Sequence, residues 1–296
     1  MDKSILRQWR KCGYMEEGAW FQSEAGTPQG GIASPLLANM ALDGLETVIQ
    51  AVRKRGHCIN VIRYADDFIV TAKTPEVLTD HIQPAITRFL RARGLELSEE
   101  KTKLTSIDAG FDFLGQNIRK YSGTLRIQPA KASVQGLLDK VRLVIDKHKG
   151  QSAERLIKVL NPIIRGWAQY HRHSVCAQSF YRVDRFIGEA LFRWIRRKNP
   201  KKSKSWIVWK YFRSPLERTG GFCVKSKDRR GQTVYYHLYR ARQTVALRYR
   251  KVVASAHPDL AGMTEYFARR RFIEHRTYGA LNSREGYTQG ILSFQI

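Results

Sequence analysis

The sequence predicts an α+β protein, with an antiparallel sheet and helices in its first part, a mainly helical region after it, and a small basic module towards the end. Three observations predict it. Two β-rich runs, 60–65 and 68–72, are separated only by Asp66-Asp67, the form of a hairpin, and a helical pattern follows directly. From residue 130 onwards apolar residues recur at helical spacing for some seventy positions. The charge also changes along the chain: residues 1–120 carry 16 Lys+Arg and 15 Asp+Glu, whereas residues 121–296 carry 36 and 11.

The chain has 296 residues with a net charge of +26 and 43% hydrophobic residues, enough to bury a core and too apolar for a disordered tail. An excess of +25 confined to the second part points to a polyanionic partner, and it argues against a generic metabolic enzyme. Basic residues there alternate with aromatic ones, as in the run FRWIRRK (192–198), which suits phosphate contact combined with base stacking. No run of about 18 apolar residues is present and the start lacks the pattern of a secretory signal, so no membrane association is expected. Cys12, Cys58, Cys176 and Cys223 are scattered, with no pair at metal-ligand spacing, and read as free thiols of a reducing compartment. The expected location is cytoplasmic (bacterial and nucleoid-associated) or organellar, not secreted.

Taken in order, residues 4–12 read as a helix ending at a Gly13 turn. The run GTPQGG (26–31) is a tight Gly/Pro loop, either a plain turn or a phosphate cradle. Ser34-Pro35 then supplies an N-cap and first helical residue for a helix from 35 to about 55, with Leu36, Leu37, Met40, Leu42, Leu45, Val48, Ile49 and Val52 at helical spacing. In the hairpin that follows, the two-residue acidic turn expected is Asp66-Asp67. Adjacent carboxylates repel unless a cation shares them, and hard oxygen donors of this kind hold Mg²⁺ beside phosphates; the alternative is a solvated tip. Thr74-Pro75-Glu76 opens a helix running to about Arg93, kinked by Pro84 and stopped by Gly94. A strand is expected to begin at 95–97, with Lys101 and Lys103 after it, and another strand after the FDFLG run (111–115).

Further on, amphipathic helices are expected at 130–150, 152–160 and 179–197, the last with Phe180, Val183, Phe186, Ile187, Ala190, Leu191 and Trp194 inward. The segment KNPKKSK (198–204) reads as a basic loop, in contact with RNA backbone or simply solvated. His171 and His173 read as surface polar residues, not metal ligands. Gly220-Gly221 and Arg229-Arg230-Gly231, followed by Val234-Tyr235-Tyr236, suggest a β-hairpin.

Several of these stretches occur together, in one order, in a known family. The run GTPQGGIASPLLAN (26–39), the run YADD (64–67), Glu100-Lys101-Thr102 and Phe113-Leu114-Gly115 resemble the group II intron-encoded reverse transcriptase/maturase. The run LNPIIRGWAQY (160–170) and residues 196–212 resemble that family's thumb, or X, maturase region. His257-Pro258-Asp259 with Tyr266 to Arg270 resembles its DNA-binding segment. The resemblance implies a partial right-hand polymerase palm over 1–125, a thumb/X maturase domain over 126–212 and a basic DNA/RNA-binding module with a tail over 213–296.

It also implies roles. Asp66 and Asp67 would be catalytic and metal-binding, with Mg²⁺ as cofactor and Lys101 near the incoming triphosphate. Pro28, Gln29, Gly30, Tyr64 and Ala65 would line the nucleotide and template pocket, and Phe113, Leu114 and Gly115 the primer grip. Arg165, Arg196, Arg197, Lys198, Lys201, Lys202 and Lys204 would contact RNA. The implied reaction is RNA-directed DNA synthesis by two-metal nucleotidyl transfer. The implied partners are group II intron RNA, target DNA and dNTPs. The alternative is a non-catalytic RNA-binding maturase that assists splicing.

Two features depart from the family. Its metal site takes a third carboxylate from a strand many tens of residues before the Gly-Gln loop. Here 25 residues precede Gly26, and their acids, Asp2, Glu16, Glu17 and Glu24, lie in no hydrophobic strand. The chain therefore reads as the C-terminal part of such a protein, expected to polymerise poorly alone. A second chain supplying the fingers and the missing palm aspartate, or a homodimer, would complete it. Residues 271–296 hold only His275 and no cysteine, so the metal-dependent nuclease that often ends family members is not expected.

Overall fold

The computed structural model describes residues 3–11, 13–22, 34–213, 220–227, 231–247, 260–274 and 290–295. These form two compact units, one of residues 1–109 with 284–296 and one of residues 110–283. Among the described residues all strand pairings are antiparallel, and the architecture is α+β as expected. Among the described residues no helix is long and apolar enough to cross a membrane.

The first unit opens with α1 (Lys3–Lys11) and a short hairpin of β1 (Tyr14–Glu16) and β2 (Ala19–Phe21). The single helix expected over 35–55 is instead two, α2 (Ser34–Ala41) and α3 (Leu45–Ala51). Gly44 separates them at φ 84°, a left-handed conformation that glycine adopts without steric cost. The break lets Leu42 and Leu45, three residues apart, both bury against the same core.

Strands β3 (Asn60–Tyr64) and β4 (Asp67–Ala72) then form the expected hairpin. Its turn differs by one position from the expected one. Tyr64 pairs with Asp67, so the two turn residues are Ala65 and Asp66, and Asp67 is the first residue of β4. Ala65 takes the positive φ of 54° that the first central position of such a turn requires. Strand β4 is buried almost throughout, with Phe68, Val70 and Ala72 in the core of the unit.

Pro84 disturbs the next helix as its missing N–H dictates. Residues Val77–Ile82 form a π turn, in which Gln83 N–H reaches the Leu78 carbonyl, and the regular helix α4 (Gln83–Arg91) follows. Gly94, at φ 70°, ends it, and Leu95 N–H closes on the Leu90 carbonyl at 3.0 Å. No strand forms at 95–97. Leu95 and Leu97 pack against the core from an irregular segment, and the strand β5 begins later (Lys103–Ser106).

The second unit begins with a three-stranded meander, β6 (Phe111–Phe113), β7 (Gln116–Tyr121) and β8 (Thr124–Pro129). Four helices follow: α5 (Lys131–Lys147), α6 (Ala153–His171), α7 (Ala177–Lys198) and α8 (Lys204–Tyr211). Ser152 and Ser203 cap α6 and α8 by accepting from the backbone N–H three residues on. Helix α6 continues eleven residues beyond the expected end at 160, through Pro162. The core of this unit gathers Leu137, Val141, Leu156, Leu160, Ile164, Val183, Ile187, Leu191 and Ile207. Each such side chain contributes about 1.5–3 kcal/mol by leaving water.

The expected hairpin appears as β9 (Cys223–Lys227) paired with β10 (Thr233–His237), followed by a 3₁₀ turn at Ala241–Gln243 and by α9 (Thr264–Glu274). Asn161 on α6 ties β10 down: its amide donates to the His237 carbonyl at 2.9 Å and its oxygen accepts from Tyr239 N–H at 2.7 Å. The final strand, β11 (Gly290–Gln295), belongs to the first unit. It lies between β4 and β5, giving the sheet order β3-β4-β11-β5.

Candidate active site and nucleic-acid interface

In the first unit the candidate catalytic carboxylates sit where the hairpin geometry exposes them. Asp66 occupies the turn and is exposed, Asp67 is half-buried at the head of β4, and Tyr64 and Ala65 are exposed beside them. Arg63, which sequence reasoning passed over, braces this turn. Its Nη1 donates to the Ala65 carbonyl at 3.2 Å and to Asn39 Oδ1 on α2 at 3.0 Å, and its Nε lies 3.7 Å from Glu46 on α3. A side chain that links the acidic turn to two helices limits how the turn moves. The signal for it was its place one residue before the exposed Tyr64, directly after the apolar Val61-Ile62.

Lys101 is exposed in the segment before β5. Pro28, Gln29 and Gly30 lie outside the described residues, as do Arg229-Arg230 and His257-Pro258-Asp259. Asp66 and Asp67 supply oxygen donors that fit a hard cation, and Mg²⁺ is held by one or two carboxylates together with water and phosphate oxygens. Among the described residues no group of three His, Cys, Asp or Glu side chains is placed to hold a metal ion.

In the second unit the primer-grip candidates form the tight turn between β6 and β7. Phe113 pairs with Gln116, leaving Leu114 (φ 48°) and Gly115 (φ 71°) as the two turn residues. Helix α6 holds this turn: Tyr170 donates its hydroxyl hydrogen to the Leu114 carbonyl at 2.6 Å. Ala130 N–H, just before α5, bonds to the Gly115 carbonyl at 2.9 Å.

His171 is not a surface residue. It is fully buried, on the same stripe of α6 as Leu160, Ile164 and Ala168. Its Nε2 lies 3.0 Å from Ser133 Oγ, which also accepts from Trp167 Nε1 at 3.1 Å, and its Nδ1 has no partner. Burial pushes its pKa down to about 4, so the ring is neutral near pH 7. The spacing 164, 168, 171 carried the signal, outweighed by the polarity of the residue. His173 is exposed and contacts the Leu247 carbonyl at 2.9 Å.

The candidate RNA-contacting residues fall into two settings. Arg196, Arg197, Lys198, Lys201, Lys202 and Lys204 are all exposed around the end of α7 and the loop to α8. This run is anchored by aromatic rings: Lys198 Nζ lies 4.5 Å from the Trp194 ring centre, and Lys202 and Lys210 lie 5.3 and 4.6 Å from that of Trp206. Lys198 also donates to the Gln151 carbonyl. Arg165 stands apart, 5.0 Å over the Tyr239 ring. The structure adds a further basic-aromatic surface on β7 and β8, where the exposed Tyr121 has Arg119 at 5.0 Å and Arg126 at 5.7 Å from its ring centre. These residues alternate along strands, so the sequence shows no charge run there.

Comparison with known proteins matches two stretches of the chain to two domain families. Residues 2–118 match the reverse transcriptase (RNA-dependent DNA polymerase) family, and residues 134–212 match the group II intron, maturase-specific domain. Among similar proteins, the group II intron-encoded protein LtrA of Lactococcus lactis subsp. cremoris is 27% identical over 213 residues, covering 48% of this chain and 36% of that protein. Maturase-like protein 1 of Euglena gracilis is 28% identical over 144 residues, covering 48% of this chain and 29% of its own length. Protein YkfC of Escherichia coli is 29% identical over 181 residues, covering 47% of this chain and 48% of its own length. The chain thus spans about a third of the length of the first two.

Proposed function

We propose that this chain, matched in part by the reverse transcriptase family and in part by the group II intron maturase-specific domain, binds intron RNA through its second unit and carries part of an RNA-directed DNA polymerase site in its first. The functional division we propose is a palm part over 1–125, a thumb/X maturase domain over 126–212 and a basic binding module beyond. The primer-grip candidates at 113–115 fall within the second compact unit.

The observation that carries the polymerase reading is the pair Asp66 and Asp67 at one hairpin tip, braced by Arg63. These two carboxylates would hold Mg²⁺, which supplies charge neutralisation at the phosphates of the incoming nucleotide. Lys101 would face the triphosphate, and the Gln29 loop the template. The Leu114 turn, held by Tyr170, would seat the primer end.

A second reading is a splicing factor that binds RNA without chemistry. It is favoured by the absence, among the described residues, of a third acid beside Asp66 and Asp67. On this ground we propose that these 296 residues by themselves extend a primer weakly or not at all, the site being completed by residues from elsewhere, whether of a longer chain, a second chain or a second copy.

Primer extension on an RNA template tests both readings, with intron RNA binding measured in parallel. Incorporation by the purified chain that is abolished in Asp66→Ala would sink the binding-only reading. RNA binding that survives Asp66→Ala, without incorporation, would support it.

A further inference from the structure

We propose that a cavity in the second unit, beside α7, takes one unpaired nucleotide of single-stranded RNA. The inference rests on the RNA-binding reading above and gives it a specific site. The cavity measures about 440 Å³, within the usual range for small-ligand pockets, and lies between α7 and the segments around 220–222 and 238–242. None of its residues lies in the basic run at 196–204.

Its lining joins three kinds of chemistry. Tyr181, Phe212 and Tyr239 offer aromatic rings, and Tyr181 is 58% exposed. Arg185 and Arg242 bring positive charge with side chains 70% and 50% exposed; each also has a carboxylate neighbour, Glu189 at 2.9 Å and Asp184 at 3.7 Å, and keeps donors facing solvent. Asp184 is the third element, its side chain only 9% exposed. Its Oδ1 accepts from Ala241 N–H at 2.6 Å and its Oδ2 from Arg242 N–H at 3.2 Å. Burial raises the pKa of this carboxylate against the lowering pull of those two N–H groups and of the Arg242 and Arg240 charges.

Each part excludes a simpler occupant. An anchored carboxylate in the wall repels a bare phosphate or sulfate, whereas the remaining lone pairs of its oxygens can accept from base imino or amino groups. The two arginines suit a phosphate at the rim and not a purely apolar ligand. Aromatic faces suit a base that has left its stack, which a duplex does not offer. A nucleotide is the ligand that uses all three at once.

The test uses the full 296-residue chain and a short single-stranded oligouridine carrying 4-thiouridine, with an RNA duplex of the same length alongside. The expected results are photocrosslinks in peptides containing Tyr181, Phe212 or Tyr239. Affinity for the single strand should fall about tenfold in Tyr181→Ala, in line with the loss of one base-aromatic stack. It should return in Tyr181→Phe, while duplex affinity stays at the parent value in both variants. Unchanged single-strand affinity in Tyr181→Ala, or crosslinks confined to other peptides, would overturn the cavity assignment and leave RNA binding standing. A parent chain that binds neither RNA would overturn the RNA-binding reading and the cavity with it.

Discussion

Arg63 donates a hydrogen bond to the backbone carbonyl of Ala65 at 3.2 Å, inside the turn that presents Asp66. The same nitrogen reaches Asn39 on α2, so one guanidinium ties the acidic turn to the helix that follows the Gly-Gln loop in sequence. Replacing Arg63 by Met keeps the packing of the stem but removes both bonds. The expected cost is about 1–3 kcal/mol, as typical for hydrogen bonds from a charged donor, read as a lower denaturant midpoint at unchanged slope. An unchanged midpoint would show that the brace contributes nothing.

Tyr170 plays the corresponding part in the second unit, where its hydroxyl holds the Leu114 carbonyl. Tyr170→Phe should cost about 1 kcal/mol and speed amide hydrogen exchange in the β6–β7 turn more than elsewhere in the unit. Because the Tyr170 ring is exposed, the substitution leaves no cavity to confuse the result.

His171 makes stability depend on acid. Its folded pKa, near 4, lies below the ordinary histidine value of 6.5, so the unfolded chain binds more protons between those two values. Stability is therefore fully retained above about pH 6.5 and falls as the pH drops towards 4. The loss from this group is on the order of 3 kcal/mol across the window. Unfolding midpoints measured from pH 7 to pH 4 should fall for the parent chain and fall less steeply for His171→Phe; parallel curves would rule the residue out as the cause.

The basic run after α7 predicts a salt effect. If Lys201, Lys202 and Lys204 each neutralise an RNA phosphate, changing all three to Ala should reduce the slope of log affinity against log salt by about 0.7 for each contact on a single strand. Binding titrations at several salt concentrations read this directly. An unchanged slope would make the run a solvated loop.

Much of the fold was legible where local chemistry decides it. The hairpin around Asp66, the inward stripe of α7 and the disturbance at Pro84 all follow from alternation, helical period and a missing N–H. The misreadings share a different cause. The expected strand at 95–97 failed because burial of Leu95 and Leu97 is met by an irregular segment, and the single helix over 35–55 failed because one glycine outweighed a continuous apolar pattern. The turn at the acidic tip shifted by one residue because Tyr64 pairs with Asp67, and register follows the apolar pattern of the strands together with the turn geometry, which no single turn residue reveals. At the candidate sites, residue types alone single out Asp66, Asp67 and the lysines as candidates. Arg63, Tyr170 and Asp184 stayed silent because their partners lie far along the chain or on backbone atoms, which no motif records.

The position of β11 bears on how the protein is made. That strand lies between β4 and β5, so the sheet of the first unit cannot close until residues 290–295 are available. On a ribosome the whole second unit, residues 110–283, is synthesised in between, a wait on the order of ten seconds or more at ordinary elongation rates. Throughout that time the apolar strand β4 has one open edge. The second unit therefore has the opportunity to fold first although the first unit emerges first.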